Sequence, residues 1–412
     1  MSLLLLLACV GADDLPAEPK RPTERGVAVV SREGRWALAP EALPMEEQIA
    51  QLQAIGYVEG SQPAPATSGV VVHDPARAWA GYNLYTSGHG PEAVLMDMAG
   101  RVLHTWRLPF DEAFPGQAPH NEKTPTFWRR ARALPDGGLL AIFEGHGIVR
   151  LDRDSKPVWA RFNGAHHDLK VDEHGDIWLL TREARPIPSI SADRATLEDF
   201  VTVLGPDGTE KRRISVLDAA LASDFAALLT PRREGGDVYH TNTLTLLDGR
   251  AEHPAFTAGR VLLSMRTLST LAVLDLDAQR VVWATKGSYH GQHDPRMLDD
   301  GRVLLFDNGR KASRVLALDP TTLAEEVVYG PADRSFFSKF CGAAQRTPAG
   351  TTLITESDAG RALEVTPEGE VVWAFYNPHR AGADGGLIAT LFEVQRLPPD
   401  FPVGWAQHPP ER

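Results

Sequence analysis

The sequence has little cysteine, no excess of basic residues and no long apolar run. Its 412 residues include two cysteines, Cys9 and Cys341, which are too few for a disulfide framework. Asp and Glu number 54 against 42 Lys and Arg, giving a net charge of −12. No basic stripe of the kind that binds a phosphate backbone is present, so we expect no nucleic-acid partner.

A leucine run at 3–7, followed by Ala8 and Cys9, opens the chain. It is far too short to span a bilayer but is typical of the apolar core of a secretory signal. Together with Cys9 it matches a bacterial lipobox, in which the cysteine is lipidated after cleavage. We therefore expect an exported protein with a signal segment at 1–9, periplasmic or bound to a membrane only through lipid on Cys9. No Lys or Arg precedes the run, so an accidental leucine-rich start is the alternative.

The next segment, 10–70, carries little strand signal. Its flanks are rich in Pro, Ala and Ser, as in tethers. Between the flanks, Ile49, Leu52 and Ile55 fall at helical spacing and Gly56 provides a stop. This pattern predicts a linker that contains one short helix.

From residue 80 onward the chain repeats an apolar strand, a turn and a second strand that ends in Trp. The period-2 alternation and the Asp, Gly or Pro turns are typical of β-hairpins. Four copies carry the Trp and two lack it; the ranges are 94–106, 148–159, 271–283 and 363–373, then 201–214 and 315–328.

A second recurring unit is a glycine followed by a strand. It occurs six times, at Gly81, Gly137, Gly175, Gly259, Gly301 and Gly350. Most of the spacings are about 40 to 55 residues, as expected of propeller blades. We predict an all-β fold: a six-bladed β-propeller over 71–412 with a short N-terminal tether and helix, seven blades being the main alternative. The strand-like segment 390–397 is expected to complete the first blade.

One repeat is longer than the others. The interval from Gly175 to Gly259 holds an insertion in which apolar residues at 217, 221, 225 and 228 predict a helix. We expect this inserted helix to lie over one mouth of the central channel.

Polar residues recur at fixed offsets from the six glycines. Seven residues after them stand Gly88, Glu144, Arg182, Arg266, Asn308 and Ser357. Eight residues before four of them stand Arg129, His167, His293 and Gly342, and His240 stands nine residues before Gly249. Equivalent core positions of a propeller should be apolar, so these residues are interpreted as the lining of the channel.

Four segments in this order resemble the bacterial arylsulfotransferase family: His166-His167-Asp168, Tyr239-His240-Thr241-Asn242, Ser264-Met265-Arg266 and Gln292-His293-Asp294. The resemblance runs over roughly 80–400. It implies an enzyme that moves a sulfuryl group from an aryl sulfate to a phenol through a sulfohistidine, with no nucleotide donor and no cofactor. The partners implied are small aryl sulfates and phenols.

The resemblance also implies roles for individual residues. His293 matches the nucleophile, and His240 and Arg266 match positions that grip the sulfuryl oxygens and handle the phenol proton. His167 matches the remaining histidine of the sulfate pocket. We assign Asn242 to orienting its neighbours and Arg182, the repeat equivalent of Arg266, to substrate binding.

The chain departs from the well-studied enteric members in two ways. It lacks their separate N-terminal β-domain and the cysteine pair that forms a disulfide near their active site. These departures leave the predicted fold intact and leave substrate and partner subunits open.

The residue types suit the chemistry independently of the resemblance. A neutral imidazole is a competent nucleophile near pH 7, and fixed cations stabilise the charge on sulfuryl oxygens. Two other functions stay open: a propeller metal site with histidine ligands, which the nearby Arg266 disfavours, and a non-catalytic extracytoplasmic binding propeller. His166 is the alternative to His167, and each site residue has a purely structural alternative role.

Overall fold

The computed structural model describes residues 43–54, 60–232, 234–333 and 335–408. Cys9, the predicted signal segment 1–9 and much of the predicted linker therefore lie outside the described residues. No helix within these ranges has the length and apolar character needed to cross a membrane.

The strands form antiparallel sheets in sequence order. The chain begins with α1 (Met45–Gln53), β1 (Gln62–Pro63) and β2 (Gly69–His73). Blade 1 contains β3 (Tyr82–Ser87), β4 (Glu92–Met96) and β5 (Val102–Arg107), and is completed by the last strand, β29 (Leu391–Leu397). After α2 (Phe110–Ala113) and a 3₁₀ turn (Thr124–Thr126), blade 2 contains β6 (Arg130–Ala133), β7 (Leu139–Phe143), β8 (Gly147–Leu151) and β9 (Pro157–Arg161).

Blade 3 carries the insertion. It contains β10 (Ala165–Val171), β11 (Ile177–Pro186), β12 (Ala195–Leu204) and β13 (Glu210–Ser215), followed by α3 (Val216–Leu221), α4 (Ala226–Leu229) and β14 (Gly236–Asp237). Blade 4 contains β15 (Thr241–Leu246), β16 (Val261–Met265), β17 (Thr270–Asp275) and β18 (Arg280–Thr285).

The remaining strands follow the same order. Blade 5 contains β19 (His293–Met297), β20 (Val303–Asp307), β21 (Arg314–Leu318) and β22 (Glu325–Tyr329). Blade 6 contains β23 (Ala343–Arg346), β24 (Thr352–Glu356), β25 (Arg361–Val365) and β26 (Val371–Tyr376), with β2 as its outer fifth strand. A small sheet joins β1 to β27 (Arg380–Ala381) and β28 (Leu387–Ile388).

The first strands of neighbouring sheets contact one another around a ring. β6 contacts β10, β10 contacts β15, β15 contacts β19, β19 contacts β23, and β23 contacts β29. β3, which pairs with β29, contacts β6 and closes the ring. The expected closing strand pairs as predicted, with Leu391 of β29 opposite Ser87 and Leu397 opposite Tyr82 of β3. The fold is a β-propeller in which the last strand of the chain completes the first blade.

All six recurring glycines have positive φ, the conformation that explains their recurrence. Five have φ between +80° and +88°, as in the tight turns that precede the second strand of a blade, and Gly81 has φ +149°. A Cβ at Gly81 would lie 2.1 Å from the carbonyl oxygen of Leu397. The closing strand β29 therefore requires a glycine at this point.

The hydrophobic core is divided among the spaces between neighbouring blades. Each of six large clusters of buried side chains draws its members from two adjacent blades. Three of the recurring Trp residues donate their indole N–H to a carbonyl of the next blade: Trp106 to Gly137, Trp159 to Pro206 and Trp373 to Met98, at 2.9, 3.0 and 2.9 Å. These residues lock adjacent blades together.

The insertion differs from the expectation. It forms two short helices, α3 and α4, instead of one, and α3 packs against β12, β13 and β18. Its apolar residues fill the outer part of the space between blades 3 and 4, because burial there removes more apolar surface from water than a position over a polar channel. The predicted N-terminal helix is present as α1, which packs on β11 and β12 through Leu52.

Candidate active site

Backbone irregularities at the start of three innermost strands present the predicted histidines. The strand register shifts between His166 and Leu169 in β10, between Thr241 and Thr243 in β15, and between His293 and Arg296 in β19. His167, His240 and Asp294 have φ of 58°, 49° and 53°. Such left-handed conformations cost about 1–3 kcal/mol for residues other than glycine, so the surrounding structure must hold them in place.

His293 presents an unprotonated nitrogen. Its Nδ1 lies 2.9 Å from the carbonyl oxygen of Gly291 and 2.7 Å from Oδ1 of Asn308. The amide of Asn308 donates to the carbonyls of Ser338 and Cys341, at 2.7 and 2.9 Å, so its oxygen must face His293. Because both neighbours of Nδ1 are acceptors, Nδ1 carries the proton and Nε2 carries a lone pair.

The lone pair of His293 is not used inside the protein. Nε2 is buried and has no hydrogen-bond partner among the described residues. Burial lowers the pKa of His293 well below its usual value, and the cations Arg266 and Arg129 lower it further. The ring is therefore neutral near pH 7, as a nucleophile requires.

His167 and His240 form a pair from neighbouring blades. Their Nε2 atoms lie 3.2 Å apart. Nδ1 of His240 lies 2.5 Å from Oδ2 of Asp237, whose other oxygen accepts the His240 backbone N–H at 2.9 Å. Burial alone would raise the pKa of Asp237, but the contact with His240 outweighs it and holds that pKa below its usual value. Asp237 thus fixes both the backbone and the ring of His240.

Further buried polar groups lie behind His167. His166 and His167 approach through their Nδ1 atoms at 2.7 Å, and Nε2 of His166 faces Asp199 at 3.6 Å. Burial and the neighbouring Asp237 raise the pKa of Asp199 to about 7. Of the two adjacent histidines, His167 is the one that reaches the neighbouring blade, and His166 supports it.

The two predicted arginines occupy different places. The backbone N–H of Arg266 donates to the carbonyl of His240 at 3.2 Å, and its guanidinium lies 3.9 Å from where a Cβ on Gly291 would be. Arg266 is therefore beside both His240 and the loop of His293. Arg182 instead lies against Gly145, with Nη1 3.5 Å from Glu144, on the side of His167.

Asn242 is fully buried. Its Nδ2 donates to the carbonyl of Gln292 at 2.9 Å. The Gln292 amide in turn donates to the hydroxyl of Ser264 and the carbonyl of Thr270, each at 3.1 Å. Asn242 therefore holds the backbone immediately before His293 and acts as a positioning residue.

Several functional candidates had no role assigned from the sequence. Asn308, Glu144 and Arg129 stood in the two offset series, which is the signal that could have identified them. Glu144 accepts the backbone N–H of His167 at 2.9 Å. Asp237 lies in β14 of the insertion, where no repeat equivalent exists for comparison, and Asp199 lies in β12 outside both offset series.

Cys341 lies buried beside this site. It is a free thiol within the described residues, and Nη2 of Arg129 lies 3.6 Å from its sulfur. Burial raises the pKa of Cys341 to about 11, so the group is a neutral thiol at pH 7 and not an active nucleophile.

An open cavity adjoins the site. It measures about 250 Å³ and is lined by aromatic, polar and charged groups that include His120, Phe162, Arg182, Glu183 and Arg213. The rings of His120 and Phe162 lie 5.4 Å apart. A ligand with a planar aromatic ring suits this cavity, where the ring would lie next to cationic side chains.

The fold and site together define a propeller with a buried, neutral histidine beside fixed cations. A family model described as Arylsulfotransferase (ASST) matches residues 130–378, more than half of the chain. The chain belongs to the arylsulfotransferase family. The match includes each of the six residues to which the sequence assigned a role in the site.

Other comparisons concern the fold. A protein of unknown function from Bacteroides caccae is 12% identical over 76% of this chain and 98% of its own, with a TM-score of 0.49. A streptogramin B lyase is 11% identical over 82% and 95%, with a TM-score of 0.46. The Dos1 propeller is 9% identical over 79% and 76%, with a TM-score of 0.42. No curated protein matches the sequence.

Proposed function

We propose that the protein transfers a sulfuryl group from an aryl sulfate to a phenol through a sulfohistidine on His293. Membership of the arylsulfotransferase family supports this type of activity. The observation that carries the mechanism is the buried, unprotonated Nε2 of His293. This nitrogen carries a lone pair, belongs to a neutral ring and lies near Arg266.

In the first half-reaction, Nε2 of His293 attacks sulfur, an N–S bond forms and the bond from sulfur to the aryl oxygen breaks. The phenolate leaves and receives a proton from Nε2 of His240, whose Nδ1 is held by the carboxylate of Asp237. Arg266 stabilises the negative charge on the sulfuryl oxygens, because its planar guanidinium can bridge two of them. Phenols have a pKa of about 10, so modest acid assistance is sufficient.

The second half-reaction reverses these steps. The hydroxyl oxygen of the acceptor phenol attacks sulfur, the N–S bond breaks, and the phenol proton returns to Nε2 of His240. Throughout, Nδ1 of His293 keeps its proton because the neutral amide of Asn308 cannot remove it. The sulfated ring therefore stays cationic and remains a good leaving group.

We place the aromatic part of the substrate in the cavity that Arg182 lines. Phe162 and His120 offer ring faces, and burial lowers the pKa of His120, so this ring stays neutral near pH 7. Two arginines also line this cavity: Arg213, which pairs with Glu183 at 3.0 Å, and Arg182, which pairs with Glu144. This composition favours aryl groups over aliphatic ones.

The test is intact-mass analysis of the purified protein after incubation with 4-nitrophenyl sulfate. We expect a gain of one sulfuryl group together with nitrophenol release, and we expect both to be lost in His293→Ala. His174→Ala is the matched control, since His174 is a surface histidine with 77% of its side chain exposed. A folded protein that gains no mass, or a His293→Ala variant that still gains it, would contradict the mechanism.

A metal site in the channel is the second candidate. Glu144, His166 and His167 offer ligand atoms within 4.8 Å of one another. Arg182 lies 3.5 Å from the same carboxylate, and a cation at that distance already neutralises Glu144 and disfavours a divalent ion. Sulfuryl transfer is therefore favoured over a metal site. It predicts that chelator-treated protein still forms the sulfated adduct.

We also propose that the protein is exported and lipidated on Cys9, from the lipobox-like segment of the sequence. Lipidation would tether the propeller through the linker that precedes α1. Fractionation of cells tests this proposal: Cys9→Ser should move the protein from the membrane to the soluble fraction. Equal distribution of both forms would contradict it.

A further inference from the structure

A second cluster of metal-binding side chains lies where the ring of blades closes. His89 is in the turn between β3 and β4, Glu92 is the first residue of β4, and His379 lies between β26 and β27. One nitrogen of each ring and one carboxylate oxygen lie within 4.8 Å of one another. All three side chains are half-buried, so an ion can reach them from solvent.

The contacts within the cluster leave ligand atoms in position. Nε2 of His89 lies 2.5 Å from Oε1 of Glu92, and the two imidazole rings stack with centroids 3.4 Å apart and an interplanar angle of 6°. This arrangement brings two imidazoles and a carboxylate within reach of one ion. Zn²⁺ commonly binds such a set, with water in the fourth position.

Each histidine of the cluster is held by a hydroxyl group at its other nitrogen. Nδ1 of His89 bonds to the hydroxyl of Ser87, and Nε2 of His379 lies 3.2 Å from Oη of Tyr85. A hydrogen bond at the second nitrogen is the usual support of a metal-binding histidine, because it fixes the tautomer and the ring orientation. The hydroxyl groups of Ser87 and Tyr85 therefore give the two histidines the support that is usual for metal ligands.

One cation lies next to the cluster in sequence. The nearby Arg380 guanidinium donates to the backbone carbonyls of residues 377–379 at 3.2–3.4 Å, which occupies its donors.

We propose that His89, Glu92 and His379 bind a zinc ion that links blade 1 to blade 6. Imidazole lone pairs lie in the ring planes, so binding would turn one ring out of the parallel stack. The ion would join blade 6 to blade 1, the blade that β29 completes, and so stabilise the closed ring. All three residues lie outside the part of the chain that matches the family model, so this site is independent of the proposed sulfuryl transfer.

The experiment is a zinc titration of the full chain after treatment with a chelator, followed by calorimetry and by the Tm. We expect one zinc ion to bind and the Tm to rise by on the order of a few degrees. His89→Ala and His379→Ala should lose this binding and the Tm response. Tyr85→Phe and Ser87→Ala, which keep all three ligands, should weaken zinc binding by about tenfold or more.

Two controls separate this site from other histidines. His120 stacks on His146 at 4.9 Å, and neither belongs to a group of three or more metal-ligating side chains among the described residues, so His120→Ala should bind zinc like the unmodified chain. His166→Ala removes a member of the channel cluster and should also leave binding unchanged. The proposal is overturned if the protein binds no zinc, if His89→Ala and His379→Ala still bind it, or if His166→Ala alone loses it.

Discussion

At the scale of single residues, the site depends on hydrogen bonds that fix where protons lie. His293 is positioned by two acceptors at Nδ1, and one of them, Asn308, is itself oriented by two carbonyl groups. His240 is held in the same way by Asp237. The tautomer and the orientation of each histidine ring are therefore set by a neighbouring polar side chain.

Replacing Asn308 with Ala tests this dependence. The variant loses one buried hydrogen bond to the reacting ring, worth about 1–3 kcal/mol, and this slows sulfation of His293 by roughly 5- to 150-fold. We expect kcat to fall while KM stays nearly constant, because Asn308 acts on the ring and not on the substrate. Rapid-mixing measurements of nitrophenol release report the first half-reaction directly.

Asn377→Ala provides the matched control. Asn377 is equally buried and donates to a backbone carbonyl at 2.9 Å, but it has no contact with His293 among those described. It should lower the Tm without changing the rate of adduct formation. Equal kinetic losses in the two variants would show that Asn308 has only a structural role.

At the scale of elements, the sequence predicted the regular parts of each blade. The six hairpin segments correspond to β4–β5, β8–β9, β12–β13, β17–β18, β21–β22 and β25–β26. These parts could be predicted because apolar side chains alternate along a strand and glycines stand where a tight turn needs a positive φ. Both features depend only on local backbone geometry. The spacing of the repeat alone also assigned His167, His293 and Arg182 to the channel.

The parts that escaped prediction depend on contacts between distant segments. The left-handed φ of His167 and His240 has no local signal, because only a few per cent of residues other than glycine adopt this conformation. Asp237 is only three residues before His240, but its backbone is held by β14, which pairs with β12. The inward position of Arg182 was predicted, but its pairing with Glu144 follows from side-chain geometry that a spacing pattern does not encode.

At the scale of the whole molecule, the propeller buries a large number of titratable groups around its axis. Arg130, Arg132 and Arg296 converge on Glu393 at 2.8, 2.5 and 2.7 Å. Burial of paired charges contributes little net stability, but loss of one partner leaves an uncompensated charge. The channel therefore couples the folding free energy of the molecule to pH.

We predict that the free energy of unfolding falls steeply as the pH drops below about 6.5, the pKa of an unperturbed histidine. Burial holds the pKa values of His166, His167 and His293 well below their usual value, so the native chain stays unprotonated while the unfolded chain takes up three protons. Asp199 acts in the opposite direction, because its pKa of about 7 in the native chain lies above that of an unfolded Asp. At about 1.4 kcal/mol per pH unit for each group, these four groups together contribute about 3 kcal/mol per pH unit. Burial also lowers the pKa values of His146 to about 3 and of His379 to about 4, which makes the slope steeper.

Thermal unfolding between pH 8 and pH 5, at constant ionic strength, measures this slope. Because Asp199 offsets part of the loss, Asp199→Asn should lose stability more steeply than the unmodified chain as the pH falls. His174→Ala, which alters a histidine with 77% of its side chain exposed, should follow the unmodified chain. A Tm that stays constant from pH 7 to pH 5 would mean that the buried histidines become protonated without unfolding, and His293 would then not be held neutral in the way that the proposed nucleophile requires.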